Sequence, residues 1–136
     1  MTKMNVSNAA AKAALDAYTA LLNVGGAGSL VIYSGVAPTD SDTALSGNTA
    51  LATFALNATA FAASVDTAPG ARATANSISD VNASNSGTAT FARVFNNAGT
   101  CVGQFDVGTT GTTVIVSSTT FVSGQPCSVV SFTISL

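Results

Sequence analysis

The sequence predicts a mainly β protein, an antiparallel β-sandwich of jelly-roll or Greek-key type that follows one short N-terminal helix. Two observations predict this class. About eight short apolar segments succeed one another along the chain, separated by clusters of Gly, Asn, Ser and Thr. The last segment, residues 128–136, alternates apolar with polar residues, as a half-buried strand does. The 136 residues suffice for a single domain, with the helix and a Gly-rich linker at 1–28 and the sandwich at 29–136.

An Ala-rich helix is predicted over residues 8–22, and either Asn5 or Ser7 can cap its N-terminus. Its large apolar side chains recur at three- and four-residue spacing, so they form one stripe. They are Leu15, Tyr18 and Leu22. A short helix of mostly alanine is marginally stable alone, so the stripe must pack either on the chain's own sheet or on a neighbouring molecule. These three residues are therefore candidate partner contacts.

Residues 30–33 predict a first strand that is apolar on both faces and hence central or covered. A long loop rich in turn-forming residues follows at 34–48. It contains Asp40 and Asp42, but a calcium-binding loop needs more oxygen ligands at regular steps and a closing Glu. We expect a solvated loop and take both aspartates as candidate partner contacts. Further strands are predicted at 49–56, 71–75, 78–82, 112–116, 119–122 and 128–136.

Residues 88–107 have the pattern of a complete β-hairpin. Residues 97–99 would form its loop, with Gly99 in the left-handed conformation. The register that follows pairs Phe95 with Cys101, Phe91 with Phe105, and Ala89 with Val107. These side chains share the more apolar face of the hairpin, which is therefore the expected core side.

Arg93 breaks the apolar pattern of that face. It lies on the same side as Phe91 and Phe95, and in the predicted register it stands opposite Gly103, which leaves room for a long side chain. One interpretation is that the guanidinium reaches the rim of the sheet or pairs with an aspartate. The other is that this face contacts another subunit, which makes Arg93 a candidate interface residue.

The chain carries few groups for catalysis or metal binding. It has no His and no Glu, so a nucleophilic Ser or Cys would lack an imidazole partner and acid–base chemistry would depend on Asp alone. The spacing of Cys101 and Cys127 fits neither a zinc site nor a redox motif. We expect buried free thiols, with a bridge between them as the alternative. The sequence thus predicts a non-enzymatic protein without cofactor or metal.

Charged residues make up only 7% of the chain, against about 25% in ordinary soluble proteins. Its four Lys and Arg form no basic cluster, so nucleic acid is not an expected partner. No apolar run reaches the roughly 18 residues of a membrane span, and Lys12 and Asp16 interrupt the stretch that a signal peptide needs. We therefore expect a cytosolic chain with no membrane partner. Low charge in β-rich segments favours association, which is typical of a protein that works inside an assembly.

The segment LVIYSGVAPTDSDTALSGNTALATFAL, residues 30–56, resembles part of the small Ala-, Thr- and Ser-rich virion proteins of tailed bacteriophages. Residues 88–136, from TATFARVFNNAGT to SFTISL, resemble the closing strands of the same group. The resemblance implies a capsid cement or decoration protein of jelly-roll type, assembled in the bacterial host cytoplasm and bound to the capsid exterior of the virion. Such proteins have no active site. They tie neighbouring major capsid proteins together, often as homodimers or homotrimers.

The resemblance supplies no residue motif for these contacts, so the candidate interface residues remain those chosen from the sequence pattern. Two other functions stay open. A phage tail or fibre component would have a similar composition, although the chain shows neither a repeated strand motif nor coiled-coil heptads. A carbohydrate-binding β-sandwich is less favoured, because sugar stacking needs surface aromatic residues and the phenylalanines lie mostly in strand patterns.

Overall fold

A computed structural model describes residues 6–67 and 70–136 and shows a mainly β protein with one short N-terminal helix. The helix, α1, spans Asn8–Ala20, and a 3-10 turn at Leu21–Asn23 continues it. The Ser7 hydroxyl caps the helix by accepting the Ala10 N–H at 3.2 Å. Asn5, the other predicted cap, lies outside the described residues. The predicted helix is confirmed, with its last turn tightened to 3-10 geometry.

Most strands belong to one large sheet. In the described part of the chain they are β1 (Ser29–Tyr33), β2 (Ala50–Ala55), β3 (Val65–Asp66), β4 (Ala71–Thr74), β5 (Val81–Asn82), β6 (Gly87–Thr88), β7 (Phe91–Phe95), β8 (Cys101–Gly108), β9 (Val114–Val116), β10 (Thr120–Phe121), β11 (Pro126–Cys127) and β12 (Val129–Ser135). Eight of them form a sheet in the order β2-β1-β7-β8-β9-β12-β4-β3. The other four form two small pairs, β10 with β6 and β11 with β5.

The large sheet is mixed, whereas the sequence predicted antiparallel strands throughout. β8 and β9 run parallel, with Val107 level with Val114. Residues 109–113 form a loop that brings the chain back, so that β9 lies beside β8 and runs in the same direction. The Asp106 carboxylate holds this loop by accepting the Thr113 N–H at 3.0 Å. Sequence periodicity reports which face a side chain takes, not the direction in which two strands run, so it carried no signal for this pair.

The main core lies on one face of the sheet and includes the helix. Leu15 and Leu22 belong to the same buried cluster as Leu30 of β1 and Phe54 of β2. Full burial of such a side chain contributes about 1.5–3 kcal/mol relative to exposure. The Phe132 ring lies at the centre of an aromatic group, with edge-to-face contacts to Phe61 and Phe105 at centroid distances of 5.0 and 5.1 Å. The helix stripe therefore packs on the chain's own sheet.

The alternation predicted for residues 128–136 holds at the centre of β12 and fails at its ends. Phe132 and Ile134 are buried in the main core. Val130 and Leu136 take the corresponding positions at either end but are 65% and 57% exposed. The strand is thus confirmed, but its alternation breaks at Val130, where the pairing with β9 shifts register between Val129 and Ser131, and Leu136 lies beyond the last strand residue, Ser135.

The hairpin of β7 and β8 forms with Gly99 in the left-handed conformation at φ 87°, as predicted, and Phe95 faces Cys101. Beyond that pair the predicted register is wrong. Val102 is an extra residue in β8, so Val94 faces Gly103 and every later pair moves by one position.

The shift turns β8 over relative to β7, so the expected core side is right for Phe105 and Val107 of β8 and wrong for Phe91 and Phe95 of β7. Phe105 now faces Ala92, and Phe91 faces Asp106. Ala92 and Val94 are fully buried in the main core, and Phe105 packs against it. Phe91 instead joins Val31 and Tyr33 in a small second cluster on the opposite face of the sheet. The core formed on the side where the helix packs.

Candidate interaction site

Arg93 lies in β7 on the face of the second cluster and is 5% exposed. Its Nε donates to Gln104 Oε1 at 2.9 Å, and its Nη2 donates to the backbone carbonyls of Asp40 at 3.1 Å and Thr43 at 2.6 Å. The guanidinium therefore neither reaches the rim nor pairs with a carboxylate, and it stands opposite Gln104, not Gly103. Because a buried charge is costly unless it is hydrogen-bonded, these oxygens make its burial tolerable.

The loop at 34–48 lies over Arg93 and is held by side-chain hydrogen bonds, some within the loop and others from the neighbouring strands and the residue before β7. Besides those from Arg93, the bonds are Asn48 Nδ2 to the Ser34 and Val36 carbonyls (3.0 and 2.9 Å), Thr90 Oγ1 to the Gly35 carbonyl (2.6 Å) and Gln104 Nε2 to the Pro38 carbonyl (2.8 Å). Each bond satisfies a loop carbonyl that has no place in a regular sheet. The segment is thus an ordered surface loop, not merely a solvated one.

Asp40 holds a tight turn within this loop. Its Oδ1 accepts the Thr43 hydroxyl at 2.8 Å and the backbone N–H groups of Thr43 and Asp42 at 2.9 and 3.0 Å. The Thr43 hydroxyl is the main reason that the pKa of Asp40 lies below its ordinary value. Both Asp40 and Asp42 are exposed, so the two predicted residues lie at the surface of the loop.

The outer surface of the loop also carries apolar side chains. Val36 is 88% exposed and Leu45 is 37% exposed. The backbone around Val36 is held, because the Gly35 carbonyl accepts a hydrogen bond from Thr90 Oγ1 and the Val36 carbonyl accepts one from Asn48 Nδ2. The Val36 side chain itself remains exposed. The loop therefore presents apolar and acidic groups in a fixed arrangement.

The three helix residues proposed as partner contacts take different positions. Leu15 is 4% exposed and Leu22 is fully buried, which favours packing on the chain's own sheet. Tyr18 is half-buried, and its hydroxyl donates to the Val102 carbonyl at 3.0 Å. Burial raises the pKa of Tyr18. An apolar groove of about 290 Å³ opens beside Leu15 and Tyr18, against Phe105 and Ile134.

Three residues that fix the loop were not selected from the sequence: Asn48, Thr90 and Gln104. Asn48 lies in the turn SGN, where an Asn side chain commonly binds nearby backbone, so a local signal existed. Gln104 could not be found, because the predicted register placed it on the other face from Arg93.

The acidic side chains and the two cysteines were also compared with the geometry that a metal site or a disulfide requires. Among residues 6–67 and 70–136, no three His, Cys, Asp or Glu side chains are grouped closely enough to hold a metal ion. Cys101 and Cys127 are free thiols that donate to the carbonyls of Gly103 at 3.6 Å and Val81 at 3.3 Å. Burial raises the pKa of Cys127.

In the ranges that the structure describes, none of the helices has the length and apolar character to cross a membrane.

Comparison of the chain with protein family profiles, characterised proteins and solved structures finds no match.

Proposed function

We propose that the chain is a non-enzymatic structural protein of a tailed-bacteriophage virion, which binds the outer surface of the capsid and stabilises it by bridging major capsid proteins. Its large sheet and small strand pairs would then form a sandwich of jelly-roll type. The proposal begins with the sequence resemblance of residues 30–56 and 88–136. It places the protein on the capsid exterior after assembly in the bacterial host cytoplasm.

The observation that carries the proposal is the anchored loop at 34–48, which lies within the first resembling segment. Binding normally costs free energy because loops and side chains must be ordered, and a loop that is already fixed avoids much of that cost. Five different side chains hold this one: Asn48, Thr90, Arg93 and Gln104 bind its carbonyls, and Asp40 closes its turn. Such a loop suits repeated, identical contacts with a rigid shell.

The sparse charge supports the same function. With only four Lys and Arg against six Asp, a contact with capsid subunits must depend mainly on buried surface and backbone hydrogen bonds. On an icosahedral shell, each small contact is repeated by symmetry, and a protein that bridges subunits gains further through avidity. We therefore expect capsid binding to depend only weakly on salt, because salt screens charges and not apolar contacts.

The test is cosedimentation of the purified protein with undecorated capsids of the phage that encodes it, followed by electron microscopy. We expect saturable binding and ordered density at symmetry-related positions on the outer surface. Val36→Ser should weaken binding, because it removes a large apolar side chain that is 88% exposed on the loop. Val130→Ser is the matched control, since Val130 is a 65% exposed valine of β12 outside the loop. Bare capsids together with protein on tails would replace this proposal with that of a tail component.

A further inference from the structure

The two edges of the large sheet differ in how they are protected. β3, at one edge, has two residues, one of which is Asp66, and the Asp66 carboxylate lies 3.9 Å from Lys12 Nζ. β2, at the other edge, has six residues and no charge. All residues from 43 to 65 are uncharged. Proteins commonly guard exposed edges with charges, prolines or very short strands, and β2 has none of these.

The hydrogen-bond pattern shows which peptide groups of β2 face outward. Phe54 lies opposite Leu30 of β1, and the next alternate residue, Leu56, donates its N–H to the Gly28 carbonyl at 3.0 Å. Because peptide groups alternate in direction along a strand, those of Thr53 and Ala55 point away from β1.

Only the start of this edge is covered. The Leu51 carbonyl faces outward and accepts the Ser84 N–H at 2.7 Å. Within the described ranges, the outward peptide groups of Thr53 and Ala55 have no hydrogen-bond partner, and both side chains are exposed. Unpaired donors and acceptors at strand spacing are complementary to another extended strand.

We propose that two copies of the chain join edge to edge through β2, in antiparallel orientation. A two-fold axis beside Phe54 brings each Thr53 opposite the partner's Ala55, and each such pair exchanges both N–H···O bonds. The large sheet then continues from one copy into the next. Phe54 itself stays in the core of its own copy, where it is fully buried.

The binding partner of β2 is a second copy of the chain, because the strand edge is complementary to itself. A two-fold axis places each group near its own symmetry mate, so a charge on β2 would repel its equivalent, and the uncharged stretch at 43–65 removes that repulsion. The two side chains that meet across the axis, Thr53 and Ala55, are small and leave room for strand spacing. This inference does not depend on the proposed function, since the pairing requires no capsid.

Two measurements on the free protein test it: sedimentation velocity over a concentration series, and hydrogen exchange resolved at single amides. We expect a concentration-dependent dimer, with the Thr53 and Ala55 amides becoming protected as it forms. Thr53→Pro removes an outward N–H that has no partner within the monomer, so it should fold and should weaken dimerisation by roughly tenfold or more. Thr53→Val keeps the N–H and the branched shape, so it should dimerise like the wild type.

A protein that stays monomeric at every soluble concentration would overturn the inference. A dimer in which the Thr53 and Ala55 amides exchange as in the monomer would also overturn it, because the contact would then lie elsewhere. The exchange measurement uses the wild-type chain, so it decides the matter even if Thr53→Pro fails to fold. A negative result for the dimer would not contradict capsid binding, and a failure to bind capsids would not contradict the dimer.

Discussion

Arg93 Nη2 donates to the Thr43 carbonyl at 2.6 Å and thereby connects a central strand of the sheet to a loop that lies 50 residues earlier in the chain. The same nitrogen reaches the Asp40 carbonyl at 3.1 Å, while Nε is held by Gln104. A planar guanidinium can bind several oxygens in fixed directions, which a lysine ammonium at this position could not reproduce. Arg93 is therefore the central anchor of the loop.

Replacing Arg93 with Met should lower the free energy of unfolding by about 1–3 kcal/mol, because it removes the three hydrogen bonds that the guanidinium donates to Gln104 Oε1 and to the Asp40 and Thr43 carbonyls. The loop should also loosen, so amides 40–43 should exchange faster with solvent. Denaturant unfolding and hydrogen exchange measure the two effects. Arg72→Met is the control, since Arg72 is exposed on β4 and should tolerate the change. Wild-type stability and loop protection in Arg93→Met would show that the arginine does not anchor the loop.

Gly103→Ala should destabilise the fold through the helix. A Cβ at position 103 would collide with the Tyr18 hydroxyl and would lie 3.0 Å from the Phe105 ring. The Tyr18 hydroxyl would lose its bond to the Val102 carbonyl, which is worth about 0.5–1.5 kcal/mol. A double-mutant cycle measures the coupling: Gly103→Ala should cost less in a Tyr18→Phe background, where the hydroxyl is absent. Equal costs in the two backgrounds would contradict this contact.

The hairpin that this contact meets could be predicted only in part. Its loop residues and its first pair follow from local rules, because Gly99 adopts the conformation that a short hairpin loop requires. The extra residue at Val102 does not follow from local rules. It occurs where Tyr18, 84 residues away in sequence, binds the backbone of β8. A two-residue periodicity carries no information about such a distant contact.

The candidate site could likewise be predicted only in part from the sequence. The loop at 34–48 and its aspartates were predicted from turn-forming residues, and Arg93 was noticed because a charge interrupted an apolar face. The connection between them could not be predicted, since the acceptors are the backbone carbonyls of Asp40 and Thr43, and every residue has a carbonyl. Side-chain chemistry in the sequence thus identified the donor but not what it binds.

Leu22→Ala should lower the unfolding free energy of the isolated chain by about 2–5 kcal/mol, because it leaves a cavity where a fully buried side chain packs against the sheet. Leu21→Ala is a matched control one position earlier, since Leu21 is 48% exposed and should change stability little. Both are measured by denaturant unfolding at low protein concentration. If Leu22→Ala had no effect there, the helix would have to pack on a neighbouring molecule.

Acidification should weaken the turn that Asp40 closes. Hydrogen bonds from the Thr43 hydroxyl and from the amides of Thr43 and Asp42 keep the pKa of Asp40 below its ordinary value of 3.8. A group with a depressed pKa in the folded state contributes stability above its unfolded pKa, and that contribution is lost as the pH falls through the folded pKa.

Thr43→Val removes the hydroxyl, so the pKa of Asp40 should rise toward 3.8 in an NMR titration of its carboxyl carbon. Thr49→Val, one residue beyond the loop, should leave that titration unchanged. A pKa of Asp40 that does not move in Thr43→Val would mean that the hydroxyl does not hold the carboxylate in solution.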